Sequence, residues 1–240
     1  MKPAIFILLF CSLLTACINA QDRKSNGANT KIAYEEWKDE AKLNIRLFPK
    51  FGGAVKNEEQ KKADQELIET YTKQQGTRHK GSEVLVKLGF DYFYKGDLRT
   101  AMYRFNQAWL LDPKNENAFW GFASIYFNFG DLDNAMKQLN EGLELNPRSS
   151  NILTDKGTIH FALFQPHHDQ KELSAAADLF RQSYAIDPKN QNTLFKLSVV
   201  YFIKNDCNNA LKYYKECKAL GGKPLTQEYI QAIEKSCGNK

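Results

Sequence analysis

Pro113 and Pro147 stand 34 residues apart, and the residues before them recur in step. Leu85, Leu88, Gly89, Tyr92, Gly96, Ala101, Phe105 and Ala108 lead to Pro113. Phe119, Phe122, Ala123, Tyr126, Gly130, Ala135, Leu139 and Gly142 lead to Pro147. Large apolar, small and turn-forming residues return at the same offsets. A fixed period of this length marks stacked helical units, each of which buries its apolar face only against its neighbours. The period constrains function too: such arrays are binding surfaces, and the residues that set the period name no ligand.

Each residue type has a local reason. Apolar residues three, four and seven apart make one stripe of a helix. Small residues let two helix backbones approach, and bulky ones fill the space around the approach. Gly96-Asp97 and Gly130-Asp131 combine a helix stop with an N-cap. Asp112-Pro113 and Asn146-Pro147 close a unit, and Asn115 can cap the next.

This pattern resembles the tetratricopeptide repeat (TPR) family. Residues 82–115 and 116–149 carry its bulky, small and prolyl positions in tandem. Residues 150–190 form a looser third unit, in which Ala176, Phe180 and Ser183 count back from Pro188. It is seven residues longer, and the excess is expected as a loop in Gln165–Glu172, because Pro166 cannot continue a helix. Residues 191–224 form a fourth unit, with Leu194, Leu197, Tyr201, Ala210, Tyr214 and Cys217 in register. The resemblance implies an all-α, right-handed TPR solenoid of antiparallel helix pairs. Residues 225–240 supply a capping helix, with Tyr229, Ile230 and Ile233 on one stripe. Residues 33–76 supply an N-terminal helix pair. Its first helix is expected over Ala33–Phe48, with Trp37, Leu43, Ile45 and Leu47 on its apolar side, and is broken by Pro49–Gly53. Asn57 caps the second, and Gly76–Gly81 links the pair to the repeats.

Residues 1–16 read as a secretory signal. Their apolar run is about half the length that spans a bilayer. The run ends in Leu14-Thr15-Ala16-Cys17, which resembles the bacterial lipoprotein cleavage box. By that resemblance Cys17 becomes the lipidated N-terminus, and residues 17–32 form a polar tether. The expected location is the periplasm-facing cell envelope, at the outer membrane, with the lipid as the sole membrane anchor. Cleavage after Ala20, giving a soluble exported protein, is the alternative.

A net charge of +5, from 33 Lys+Arg against 28 Asp+Glu, is a mild excess spread along the chain and does not suggest nucleic acid. An exported chain keeps disulfides. If the helix that Cys207 opens and the helix that Cys237 ends run antiparallel, these two form the favoured pair and Cys217 stays a buried thiol; three reduced thiols are the alternative. No phosphate loop, nucleophile elbow or HExxH motif is present, so neither an enzyme nor a cofactor is expected. His160, His167, His168 and Asp169 are the sole metal-like cluster. His160 fills a core slot and the adjacent His167 and His168 diverge, so the insertion reads as solvated rather than as a metal site.

In TPR arrays the concave face is lined by fixed helix-A positions. Carried onto this chain, the resemblance implies a groove of Phe90, Tyr94, Trp120, Ser124, Phe127, Asn128, Thr158, Phe195 and Val199. Val86, Phe90 and Ser124 stand where the family's carboxylate clamp needs charge or amide, so recognition of a chain terminus is not implied. An aromatic, amide-rich groove suggests a peptide or helix of another envelope protein as partner. Filling of the groove by the N-terminal helices remains open, as do a small-ligand or metal-binding role and a spacer role within a homo-oligomer.

Overall fold

The structure, a computed structural model, describes residues 32–238. Among the described residues there are eleven α-helices, two short 3₁₀ segments and no strand. The chain divides into two compact units, up to residue 152 and from 153 onward.

The N-terminal unit contains α1 (Tyr34–Leu43), 3₁₀ segments at Ile45–Leu47 and Pro49–Gly53, α2 (Glu58–Gln75), α3 (Arg78–Tyr94), α4 (Leu98–Leu111), α5 (Glu116–Phe129) and α6 (Leu132–Leu145). Helices α3 with α4 and α5 with α6 are the two antiparallel pairs of the repeats, each joined by a two- or three-residue turn. Gly96 and Gly130 adopt φ of 81° and 78°, as the turn requires. Asp97 and Asp131 then accept the backbone N–H of Thr100 and Asn134 to cap the second helix.

Phe105 on α4 is the pivot of this unit and is fully buried. A Cβ added to Gly89 on α3 would come within 2.4 Å of its ring, and one added to Gly121 on α5 within 2.3 Å. Both helices can close on Phe105 only because these positions lack a side chain. One aromatic ring thus couples the first repeat to the second.

The segment before the repeats departs from expectation. Helix α1 stops at Leu43, because Asn44 turns extended and its side chain accepts the Arg46 N–H. Leu43 is therefore 93% exposed, whereas Trp37 and Leu47 are buried. Lys50, Phe51 and Gly52 all take positive φ near 60°, a left-handed turn that swings Phe51 inward. Asn106 on α4, fully buried, holds this turn. Its Nδ2 donates to the Arg46 and Phe48 carbonyls, and its Oδ1 accepts the Phe51 N–H. Tyr34 packs on Phe129 and donates to Asp131, and Lys50 pairs with Glu141 of α6. The stretch from Tyr34 to Gly53 thus packs on α4, on Phe129 at the end of α5 and on Glu141 of α6, while α2 packs on α3, where Leu67, Ile68 and Tyr71 join the cluster of Leu85, Val86 and Phe90. The linker expected over Gly76–Gly81 shortens to Gly76-Thr77, since α3 starts at Arg78. Arg78 donates to the carbonyls of Leu110 and Leu111, which end α4 without intrahelical partners.

The C-terminal unit contains α7 (Ser150–His167), α8 (Gln170–Ile186), α9 (Gln191–Ile203), α10 (Cys207–Ala219) and α11 (Gln227–Cys237). The expected loop at Gln165–Glu172 shrinks to a two-residue turn at His168-Asp169. Helices α7 and α8 have 18 and 17 residues, against 14 and 14 in α5 and α6, so the seven extra residues are absorbed as added helical turns. Pro166 is accommodated because it sits in the last turn of α7. His168, at φ 52°, is the stop, and its N–H reaches the Phe164 carbonyl. Gly157 lies against the Phe180 ring as Gly89 does against Phe105. Thr154, Ser183 and Thr193 satisfy one another's buried hydroxyls at 2.6–2.8 Å.

Candidate functional site

Two helix-A surfaces carry the residues assigned to the groove, one in each unit. In the N-terminal unit, Val86, Phe90 and Tyr94 succeed one another at four-residue spacing along α3. Exposure rises along that stripe. Val86 is 8% exposed, Phe90 is half-buried and Tyr94 is 62% exposed. The Phe90 ring lies 6.1 Å from Tyr94, 6.4 Å from Phe93 and 4.4 Å from Trp120 on α5. Phe90 also meets the buried Phe105 edge-on at 5.1 Å. The result is an aromatic shelf rooted in the core and open at Tyr94. Each ring pair adds about 1 kcal/mol beyond the area it buries, which fixes the shelf before any partner arrives.

Around the shelf, Ser124 is half-buried and its Oγ donates to the Trp120 carbonyl at 2.9 Å, so its hydroxyl serves the helix. Phe127 is half-buried and Asn128 is exposed on the same helix. The six groove residues of this unit therefore fall on two neighbouring helices, with Tyr94 and Asn128 exposed and Phe90, Trp120, Ser124 and Phe127 half-buried.

The C-terminal unit differs. Thr158 is half-buried and its Oγ1 donates back to the Thr154 carbonyl. Phe195 is 5% exposed and Val199 1% exposed, so neither lines an open groove, and their assignment as lining is corrected. Tyr229 of α11 meets Phe195 at 5.3 Å and Phe202 at 6.1 Å, spanning the stripe on which Val199 lies. The Tyr229 hydroxyl bonds Ser198 Oγ, which itself donates to the Ala210 carbonyl. The signal for this was in the sequence. Tyr229 comes one 34-residue period after Phe195, as Trp120 comes after Val86, so α11 continues the register as one more helix A.

Cys207 and Cys237 are joined in a disulfide with Cα atoms 5.3 Å apart, which ties the start of α10 to the end of α11. Cys217 is buried and free, and burial pushes its thiol up to about 11, which keeps it protonated and unreactive at neutral pH. Cys17, assigned as the lipid site, and the whole signal segment lie outside the described residues.

The histidines do not converge. His160 is half-buried, not a closed core residue, and its Nδ1 lies 2.7 Å from Glu172. That carboxylate reaches it because α8 starts early enough to run beside α7. His167, His168 and Asp169 are exposed, and Asp169 caps α8 through the Lys171 N–H. Among the described residues no group of three or more His, Cys, Asp or Glu side chains is placed to hold a metal ion. Among the same residues no helix is long and apolar enough to cross a membrane.

Comparison with known proteins agrees with this architecture. Residues 92–154, from within α3 to the start of α7, match the Tetratricopeptide repeat family. No curated protein matches the chain. Among solved structures, PilF of Pseudomonas aeruginosa is similar over 60% of this chain and 62% of that one, at 17% identity and a TM-score of 0.50. The chain thus spans somewhat less than two thirds of that protein's length. A thermophilic TPR protein of Thermus thermophilus is similar over 65% of this chain and 80% of its own, at 17% identity and a TM-score of 0.53. The Cut9–Hcn1 hetero-tetramer of the APC/C is similar over 75% of this chain and 33% of that one, at 19% identity and a TM-score of 0.51. At these identities the likeness is one of fold.

Proposed function

We propose that this protein is a non-enzymatic scaffold of the bacterial cell envelope, lipidated at Cys17 and facing the periplasm from the outer membrane, that holds a peptide or helix of another envelope protein. The shelf of Phe90, Tyr94 and Trp120 carries the reading. It is a fixed aromatic surface with an exposed edge, built at helix-A positions of two adjoining repeats. An exposed tyrosine over a rooted aromatic cluster gives a partner large contact area at little ordering cost. No charged clamp is built into the shelf, which favours an apolar or aromatic stretch of partner chain over a carboxylate terminus.

Substitution of the accessible rings tests the shelf. Phe90 is a poor probe because it also packs on Phe105, so Tyr94→Ala and Trp120→Ala are the informative pair. Each should weaken partner capture at least about tenfold with the helical circular-dichroism signal retained, in keeping with aromatic anchors at interfaces. Capture by both variants at the parent level would refute the shelf as the binding face.

The address rests on Leu14-Thr15-Ala16-Cys17 and the polar stretch after it. Two or three acyl chains on one cysteine hold a protein at a membrane, where a single chain is marginal. Growth with an alkynyl fatty acid should label the parent chain and leave Cys17→Ser unlabelled. A mature protein beginning at Gln21 would replace this reading with soluble export.

A further inference from the structure

The helix-A surface of the last repeat is apolar and largely covered, with Phe195 and Val199 buried and Phe202 half-buried. Phe195, Val199 and Phe202 lie at four- and three-residue spacing along α9, and α11 lies over them through Tyr229. Helices α3, α5, α7 and α9 each have a partner helix across a turn of two or three residues. Among the described residues α11 has none. It has 11 residues, fewer than a helix needs to persist alone in water. Its buried hold on the protein is a stripe of Tyr229, Ile233 and Cys237, all at least 97% buried, with Ile230 packed partly buried beside it. The third member of that stripe is a disulfide sulfur. Outside the stripe, the Tyr214 hydroxyl and Lys218 reach Glu234 from α10, at 2.7 Å and 3.6 Å. The Tyr214 bond is partly buried, and the Lys218 ion pair is exposed and weakly stabilising.

We propose that α11 is a redox-held cover. With Cys207–Cys237 oxidised it closes the Phe195–Val199–Phe202 surface, and reduction by a dithiol releases it and uncovers that surface. Cys207 is the partly exposed half of the bond, and Cys237 is the buried half. A dithiol thiolate attacks Cys207 Sγ, the S–S bond breaks, and Cys237 leaves as a thiolate that takes up a proton. The second thiol of the reductant then attacks its own mixed-disulfide sulfur and frees Cys207. Two electrons and two protons pass to the protein, and the reductant departs as a cyclic disulfide. Cys217, buried and protonated, takes no part, so the chain has one reducible bond among the described residues.

Release of α11 is independent of the lipid and of the aromatic shelf, and purified full-length chain tests it. Hydrogen exchange is read by mass spectrometry before and after reduction with dithiothreitol, and on Cys237→Ser without reductant. Closing a 30-residue span stabilises enough that its loss should speed exchange in residues 227–237 by about 100-fold or more. Exchange in 195–203 should rise with it, an apolar dye should gain fluorescence, and residues 98–145 should stay at their oxidised rates. Unchanged protection of 227–237 in both the reduced chain and Cys237→Ser would overturn the proposal. So would loss of protection throughout the chain, since the bond would then support the whole fold and not a cover.

Discussion

Trp120 and Tyr229 occupy the same repeat position, each lying over aromatic side chains of the preceding helix A, yet their surroundings make them opposites. Trp120 covers Phe90 only in part, and the shelf stays open at Tyr94. Tyr229 is 3% exposed, meets two phenylalanines and shares a hydrogen bond with Ser198, and beneath it Phe195 and Val199 are buried while Phe202 stays half-buried. The repeat position fixes which way a side chain points. Whether that side chain becomes a binding surface or a piece of core is decided by the helix that the chain lays over it.

The contrast can be broken most severely at Tyr229. Tyr229→Ala removes a buried ring and its hydrogen bond with Ser198, and should cost about 3 kcal/mol in urea unfolding of the oxidised chain. Gly121→Ala comes next. Its added Cβ would meet the Phe105 ring at 2.3–2.5 Å, and the overpacking should cost about 2 kcal/mol. The pairing Gly121→Ala with Phe105→Leu should recover part of that loss. No recovery would mean that the glycine answers to some contact other than Phe105. Trp120→Ala should cost least, about 1 kcal/mol, because that ring is already partly exposed. Equal losses at Tyr229 and Trp120 would show that the two surfaces are equally closed.

Much of the fold is legible because it is written periodically. The position that yields Phe105 in the first repeat yields Leu139, Phe180 and Tyr214 in the others, and all four are buried. The departures occur where the period is silent. Asn106 sits one residue after Phe105, outside the repeating positions, and it is the buried grip on the turn at Lys50–Gly52. Its role depends on a segment some 55 residues away, which no local pattern reports. Pro166 reads as a breaker from its chemistry alone, but a proline in a last turn costs little when the chain is about to stop there anyway.

The site is legible to a lesser degree. Register arithmetic places Phe90, Tyr94 and Trp120 on neighbouring helices, and they form one aromatic cluster. The same arithmetic also places Phe195 and Val199 in a groove, where they are buried. The sequence assigns a face to a residue, but exposure depends on whether another helix covers that face. Here the covering helix reads as an end cap only, although its 34-residue spacing marks it as one more layer.

If partners meet the open shelf and not the covered surface, crosslinking should distinguish the two. A photoreactive benzoylphenylalanine is placed at Tyr94, at Phe202 or at the exposed helix-B residue Lys137 in intact cells. Position 94 should give one discrete protein adduct, lost when Trp120→Ala is added, and neither 137 nor 202 should give any in the oxidised chain. The same adduct from 137 or 202, or an adduct at 94 that survives Trp120→Ala, would rule out the shelf as the place where partners dock.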